Sequence, residues 1–277
     1  MKRVIAVAAG LAVSLAASEA AAGAWVRPQW GLYLRLDTKY YRATSIFDAD
    51  GNRVAGDWWD DAARFQEVSS NLIAELGVLD QLTVLFEGTA RIMHSDYTRG
   101  MGGNVRVAGL SDVQLGLRYG PYQRRIVTAL EARVEIPTGY PRDNDRVRLG
   151  PGYVNGQFKV GVGGGIPMGG VGNYFDVGFG YRLRGGPPSD DLVANAAIGV
   201  EPVDGLWVRV GFSGTFNLGN GTMDVSSNQD ATYVSVGGAI TYIFDSGFGV
   251  ELAASGDVWG KNTFAGWGLS LVLQYET

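Results

Sequence analysis

The chain has 277 residues, of which 42 are glycine and 18% are charged, with no cysteine and one histidine. Without cysteine there is no thiolate zinc site, iron–sulfur cluster, disulfide framework or acylated-cysteine anchor. A formal charge of -5 gives phosphate backbones nothing to hold, which argues against nucleic-acid binding. Aromatic residues make up 11%, so the glycine excess belongs neither to collagen nor to a disordered chain.

The first element is an export signal. Lys2 and Arg3 form a positive start, Val4 to Ala17 is apolar but too short to span a bilayer, and small residues follow. Cleavage after Ala22 or after Ala24 fits the small-residue pattern. The later position divides the chain into a signal peptide over 1–24 and a single domain over 25–277.

Beyond the signal no run of 18 apolar residues occurs, and period two replaces helical periodicity. Leu32, Leu34 and Leu36 alternate with Tyr33, Arg35 and Asp37, and a weaker stretch runs through Leu72, Ala74, Leu76 and Val78. The same alternation carries Leu82 to Phe86, Val113 to Tyr119, Leu130 to Ile136, Phe158 to Val162 and Phe175 to Tyr181. It continues through Ala194 to Val200, Leu206 to Phe212, Val234 to Ile240, Val250 to Leu252 and Leu269 to Tyr275, predicting twelve strands.

Short connections at Leu79–Gln81, Gly120–Arg125, Gly163–Gly172, Glu201–Gly205 and Asp245–Gly247 alternate with longer ones. The longer ones lie at Ala43–Ala62, Met93–Leu110, Gly139–Gly152, Arg184–Asp191, Asn217–Ala231 and Asp257–Thr263. An even strand number with this rhythm predicts an all-β, single antiparallel transmembrane barrel of the outer membrane.

A soluble barrel has the same period, so composition decides which face meets water. Beyond Lys2 the only lysines are Lys39, Lys159 and Lys261, far too few for a soluble exterior. The polar face instead carries opposed charges: Arg35 with Asp37, Glu87 with Arg91, Asp112 with Arg118, Glu131 and Glu135 with Arg133, and Asp176 with Arg182. Paired ions suit a crowded lumen, where a lone charge is costly. Arg209 and Glu251 share that face, and these residues form the candidate lumen lining. Trp30, Tyr119, Tyr181, Trp267 and Tyr275 near strand ends fit interfacial girdles. The terminal strand Trp267 to Tyr275 fits the segment read by barrel-assembly machinery, although Glu276 and Thr277 follow it.

Two stretches, Gly109-Leu-Ser-Asp-Val-Gln-Leu-Gly-Leu-Arg-Tyr119 and Glu135-Ile-Pro-Thr-Gly139, resemble strands of the outer-membrane proteins assigned to the meta-cleavage pathway of phenol degradation. The resemblance implies a barrel that passes hydrophobic or aromatic compounds.

Other motifs carry less. His94 lies in register with lipid-facing Leu82, Val84, Phe86 and Ile92. An outer-membrane phospholipase would set a serine two residues later, where this chain has Asp96. Asp48-Ala-Asp-Gly-Asn52 starts like a calcium loop but lacks glycine at position six and glutamate at twelve, so it reads as a turn. Gly161 to Gly172 lacks the spacing of a phosphate loop and reads as a periplasmic turn. The expected function is passive uptake of small, hydrophobic or aromatic solutes, with no cofactor, no metal and no covalent step. Its expected surroundings are outer-membrane lipids, lipopolysaccharide and, during biogenesis, the barrel-assembly machinery. The alternatives are a non-conducting structural or adhesion barrel, and a surface lipid-modifying enzyme that depends on His94.

Overall fold

The computed structural model describes residues 23–55, 64–96, 105–140, 149–166, 171–221 and 231–277, so most of the segment expected to be an export signal falls outside the described residues. Every regular element among the described residues is a strand. In order these are β1 (Leu32–Phe47), β2 (Arg53–Ala55), β3 (Arg64–Leu79), β4 (Leu82–Asp96), β5 (Val105–Gln123), β6 (Ile126–Ile136) and β7 (Asn155–Gly164). There follow β8 (Gly172–Leu183), β9 (Asp191–Val203), β10 (Leu206–Asn217), β11 (Thr232–Ile243), β12 (Phe248–Lys261) and β13 (Thr263–Glu276).

Each long strand pairs antiparallel with its successor, and β13 returns to β1 with Tyr33 opposite Glu276 and Phe47 opposite Thr263. Twelve strands thus close a barrel, and closure removes the edges that lipid could not satisfy. The thirteenth, β2, folds back on the loop end of β1. Asp48 shapes that hairpin: its carboxylate accepts from the Asp50 and Asn52 amides at 2.9 and 2.8 Å, and Gly51 takes φ 88°. A turn, not a calcium loop, is what the Asp48–Asn52 motif builds.

Strands are longer than the alternation alone predicts. The apolar beat stops at the membrane boundary, whereas backbone pairing continues beyond it into polar sequence. The expected long connection Asp257–Thr263 is a correction of this kind: β12 reaches Lys261, and Asn262 alone, at φ 52°, turns the chain into β13. Likewise Gly161, Gly163 and Gly164 belong to β7 and not to a turn.

Parity sorts the two faces. Leu34, Leu36, Val84, Phe86, Leu115, Leu117, Leu130 and Val134 are exposed on the outside, while Arg35, Asp37, Thr83, Arg118 and Glu131 are buried inside. Tyr119 and Tyr275 sit outward at the short-turn end, and Tyr181 outward at the loop end, as interfacial anchors do. Leu130→Arg, on the lipid side, is expected to cost about 2 to 4 kcal/mol near the bilayer midplane. The measurement is the folded fraction in outer-membrane preparations, read as heat-modifiable gel mobility. Normal assembly of this variant would mean that the two faces are reversed.

Residues 23–31, the described part of the chain before β1, form a strap: 23–27 lie in the short-turn end of the lumen, and 28–30 are exposed at its rim. The Ala24 amide donates to Asp176 at 2.9 Å, Arg118 donates to the Trp25 carbonyl at 3.1 Å, and the Arg27 amide donates to the Thr83 hydroxyl at 2.8 Å. The Trp30 amide donates to the Gly77 carbonyl at 2.7 Å, and the Gly77 amide returns a bond to Gly31 at 2.9 Å. Glycines on the wall make this possible. A β-carbon built at Gly161 would already touch Ala24 at 3.4 Å, and one at Gly163 would meet the Trp25 ring at 2.7 Å.

Candidate functional site

Among the described residues, the lumen carries two ionic networks built on buried arginines and an apolar cluster at its loop end. The first ionic cluster is a ladder that starts on the strap. Arg27 Nε meets Glu75 at 2.9 Å, Glu75 meets Arg118 at 3.0 Å, Arg118 Nε meets Glu131 at 2.9 Å, and Arg133 bridges Glu131 at 2.6 Å and Glu87 at 2.8 Å. Asn71 caps it by donating to Glu87 at 2.9 Å. Alternate rungs carry opposite charge, so each buried ion has a countercharge within hydrogen-bond reach.

The second cluster centres on Glu251. One of its oxygens accepts from Arg35 at 3.1 Å and from Arg209 at 2.9 Å, and the other accepts from the Thr241 hydroxyl at 2.7 Å. Arg35 also reaches Asp37 at 3.3 Å.

Several expected pairs do not form. Asp112 faces the Tyr140 hydroxyl at 2.6 Å instead of Arg118. Asp176 is held by Ala24 and by Asn195 at 3.2 Å, not by Arg182, which reaches Asp191 at 3.7 Å. Glu87 takes Arg133 in place of Arg91, which lies 3.8 Å from Glu67. Glu135 accepts from Asn155 at 2.6 Å and not from Arg133. The reason is geometric. Residues two or more apart along one strand are separated by roughly 6.5 Å or more, whereas neighbours across the sheet stand about 5 Å apart, so long side chains turn sideways to partners that intrastrand spacing cannot name. The Arg35–Asp37 and Glu131–Arg133 pairs do form within one strand.

Glu75, Glu67 and Asp191 were absent from the expected lining. Glu75 could have been found, because it alternates with Ala74 and Leu76 on a strand already recognised. Arg27 had no such signal, since nothing local places the strap inside the barrel.

At the loop end the lumen becomes apolar. Ala43, Phe65 and Met93 on β1, β3 and β4 pack with Leu149 from the connection between β6 and β7, flanked by Tyr41, Val107, Tyr140 and Phe264. Phe65 and Phe264 stack with centroids 4.3 Å apart, and Tyr41 meets Phe65 edge-on at 6.0 Å. Leu149 is drawn inward because its carbonyl accepts from Ser111 at 2.5 Å and the Tyr140 hydroxyl accepts from the Gly152 amide at 2.8 Å. Burial, then the hydrogen bond to Asp112, raises the Tyr140 phenol above its ordinary range. Beside this collar Asp257 accepts from the Tyr41 hydroxyl at 2.6 Å, from the Gly266 amide at 3.1 Å and from Ser235. Between the collar and the ladder lies a cavity of about 580 Å³, whose walls carry Asn71, Gln114, Asn195, Ser213 and Ser255 among the charged groups.

Outside the membrane, Asp190 joins two loops. Burial alone would raise its carboxyl, but donors from Tyr181, the Arg184 amide and Asn220 hold it below the usual range. A lowered value means that this tie is intact above the ordinary carboxylate range and is lost as pH falls through the lowered one. Protease cutting between 184 and 221 is therefore expected to accelerate only in acid. Equal rates at neutral and acid pH would show that the tie contributes nothing.

His94 shares the outward parity of Ile92, while Ser95 turns inward at 2% exposure, so the two cannot face one substrate.

Residues 43–273 match the family described as "Putative MetA-pathway of phenol degradation". Among solved structures, an outer membrane channel from Pseudomonas putida F1 aligns at 13% identity and TM-score 0.72, covering 90% of this chain and 96% of that one. The translocator domain of the autotransporter NalP from Neisseria meningitidis aligns at 11% identity and TM-score 0.49, covering 88% of each chain. The Pseudomonas putida toluene transporter TodX aligns at 11% identity and TM-score 0.43, covering 96% of this chain and 95% of that one. No curated protein matches by sequence. At these identities the first alignment establishes the fold, that of an outer-membrane barrel.

Proposed function

The chain belongs to the phenol-degradation MetA-pathway family of outer-membrane proteins, and from that membership we propose that it is a channel for passive uptake of small hydrophobic, chiefly aromatic, molecules. The observation that carries this reading is the collar of Tyr41, Phe65, Met93, Leu149 and Phe264 set over the 580 Å³ cavity. Stacked rings at the loop end take an aromatic solute out of water, and offset or edge-on ring contacts contribute about 0.5 to 1.5 kcal/mol each, enough to select and too little to trap. Below the collar the polar cavity lets the solute leave, since diffusion through sites in series requires that no single site bind tightly. No step here makes or breaks a covalent bond.

The test is a comparison of ion conductance in planar bilayers with solute uptake by proteoliposomes. Phe65→Ala removes the ring shared by both aromatic contacts. It is expected to raise single-channel conductance and to lower the preference for toluene-sized aromatics over sugars of similar size. A barrel that neither conducts ions nor admits aromatics would leave the structural or adhesion reading, which the dense ion pairing of the lumen favours.

A further inference from the structure

We propose that the export signal is cut after Ala22, and that the α-ammonium group of Gly23 so created is a built-in countercharge for Asp176 inside the lumen. By sequence alone, Ala20-x-Ala22 and Ala22-x-Ala24 serve a signal peptidase equally. The barrel interior distinguishes them. Ala24 is 0% exposed and packs with Val127 and Ala129, while its carbonyl accepts from Gln123 at 3.3 Å. Cutting after Ala24 would remove that methyl from its site and take from Asp176 the amide that donates to it at 2.9 Å.

Asp176 needs more than it would then keep. Its side chain is 2% exposed, and its direct donors are the neutral amides of Ala24 and Asn195. Lys159 and Arg118 add positive charge to its surroundings. A β-carbon built on Gly23 would lie 3.3 Å from Asp176 Oδ2. Standard bond geometry then places the Gly23 nitrogen no more than about 6 Å from that oxygen. In the intact precursor this nitrogen is a neutral amide. Hydrolysis of the Ala22–Gly23 bond adds water across it, leaving a carboxylate on the released peptide and an ammonium on the barrel. An ammonium at that range favours the ionised carboxylate and is itself favoured by it. Glycine suits the new terminus, because a β-carbon at 23 would crowd the Trp25 ring at 2.5 Å.

Intact mass and terminal sequencing of the barrel extracted from outer membranes should give a chain that starts at Gly23. A start at Trp25, or at any other residue, overturns the proposal. Where the chain does start at Gly23, the second half is tested by acetylating the amine of the folded protein with an N-hydroxysuccinimide ester across pH 6 to 10. The expected titration lies about one unit above the ordinary α-amino value, an about tenfold slower reaction at neutral pH than in the heat-unfolded protein. Asp176→Asn should return it toward the ordinary value. Equal labelling of folded and unfolded wild type refutes the pairing, even if the Asp176→Asn variant fails to assemble.

Discussion

Arg118→Ala is expected to lower barrel stability more than any other single lumen substitution, by about 3 to 5 kcal/mol where the site is dry and less where cavity water reaches it. Arg118 is 1% exposed, holds Glu75 at 3.0 Å and Glu131 at 2.9 Å, and donates to the Trp25 carbonyl of the strap. Its removal leaves two buried carboxylates facing one another, with Arg27 and Arg133 at their outer sides and Lys159 opposite Glu131 on β7. The measurement is the urea midpoint of gel mobility in detergent. A triple variant that also carries Glu75→Gln and Glu131→Gln should recover most of the loss, since the cost comes from uncompensated charge and not from absent attraction. If Arg118→Ala unfolds at the wild-type midpoint, the ladder is screened by water and carries no stability. If the triple variant is worse than the single one, the guanidinium matters as packing volume instead.

Gly77→Val should have the largest effect on conduction. A β-carbon at Gly77 would overlap the Pro28 carbonyl oxygen and crowd the Arg27 carbonyl, so the strap cannot seat. The two backbone bonds joining Gly77 to Trp30 and Gly31 would go with it, as would the contacts of Arg27 with Glu75 at 2.9 Å and Glu276 at 2.6 Å. The expected result is a barrel that assembles, conducts ions more strongly than wild type, and exposes the strap to protease from the short-turn side. Gly156→Ala, where a β-carbon meets nothing within 4 Å, is the matched control and should behave as wild type. Wild-type conductance in Gly77→Val would mean that the collar at the loop end, not the strap, limits the passage.

Much of this architecture is legible in the chain itself. Strand period fixes the two faces because side chains alternate strictly: once Leu34 and Leu36 are outward, Arg35 and Asp37 must be inward, whatever their partners. Scarcity of lysine decided that the outward face meets lipid. The order of short and long connections pointed to a closed antiparallel barrel, with one exception, Asn262, where a single residue in a left-handed conformation replaces a loop. Apart from Arg35 with Asp37 and Glu131 with Arg133, which ions pair was beyond reach of the sequence. Pairing runs across strands whose register depends on every turn before them, so Arg133 finds Glu87 on β4 as well as Glu131 two residues away.

Tertiary structure alone decided the two devices that occupy the ends of the lumen. The strap at 23–31 has no periodicity to announce it, and it enters the barrel because glycines 77, 161 and 163, spread over two strands, leave room for its backbone and for Trp25. Leu149 reaches the collar because Ser111 and Tyr140, dozens of bonds away along the chain, hold its loop inward. Local sequence determines which way a side chain points from its strand. Only the closed barrel determines what it meets there, because most ion pairs of the lumen join residues on different strands.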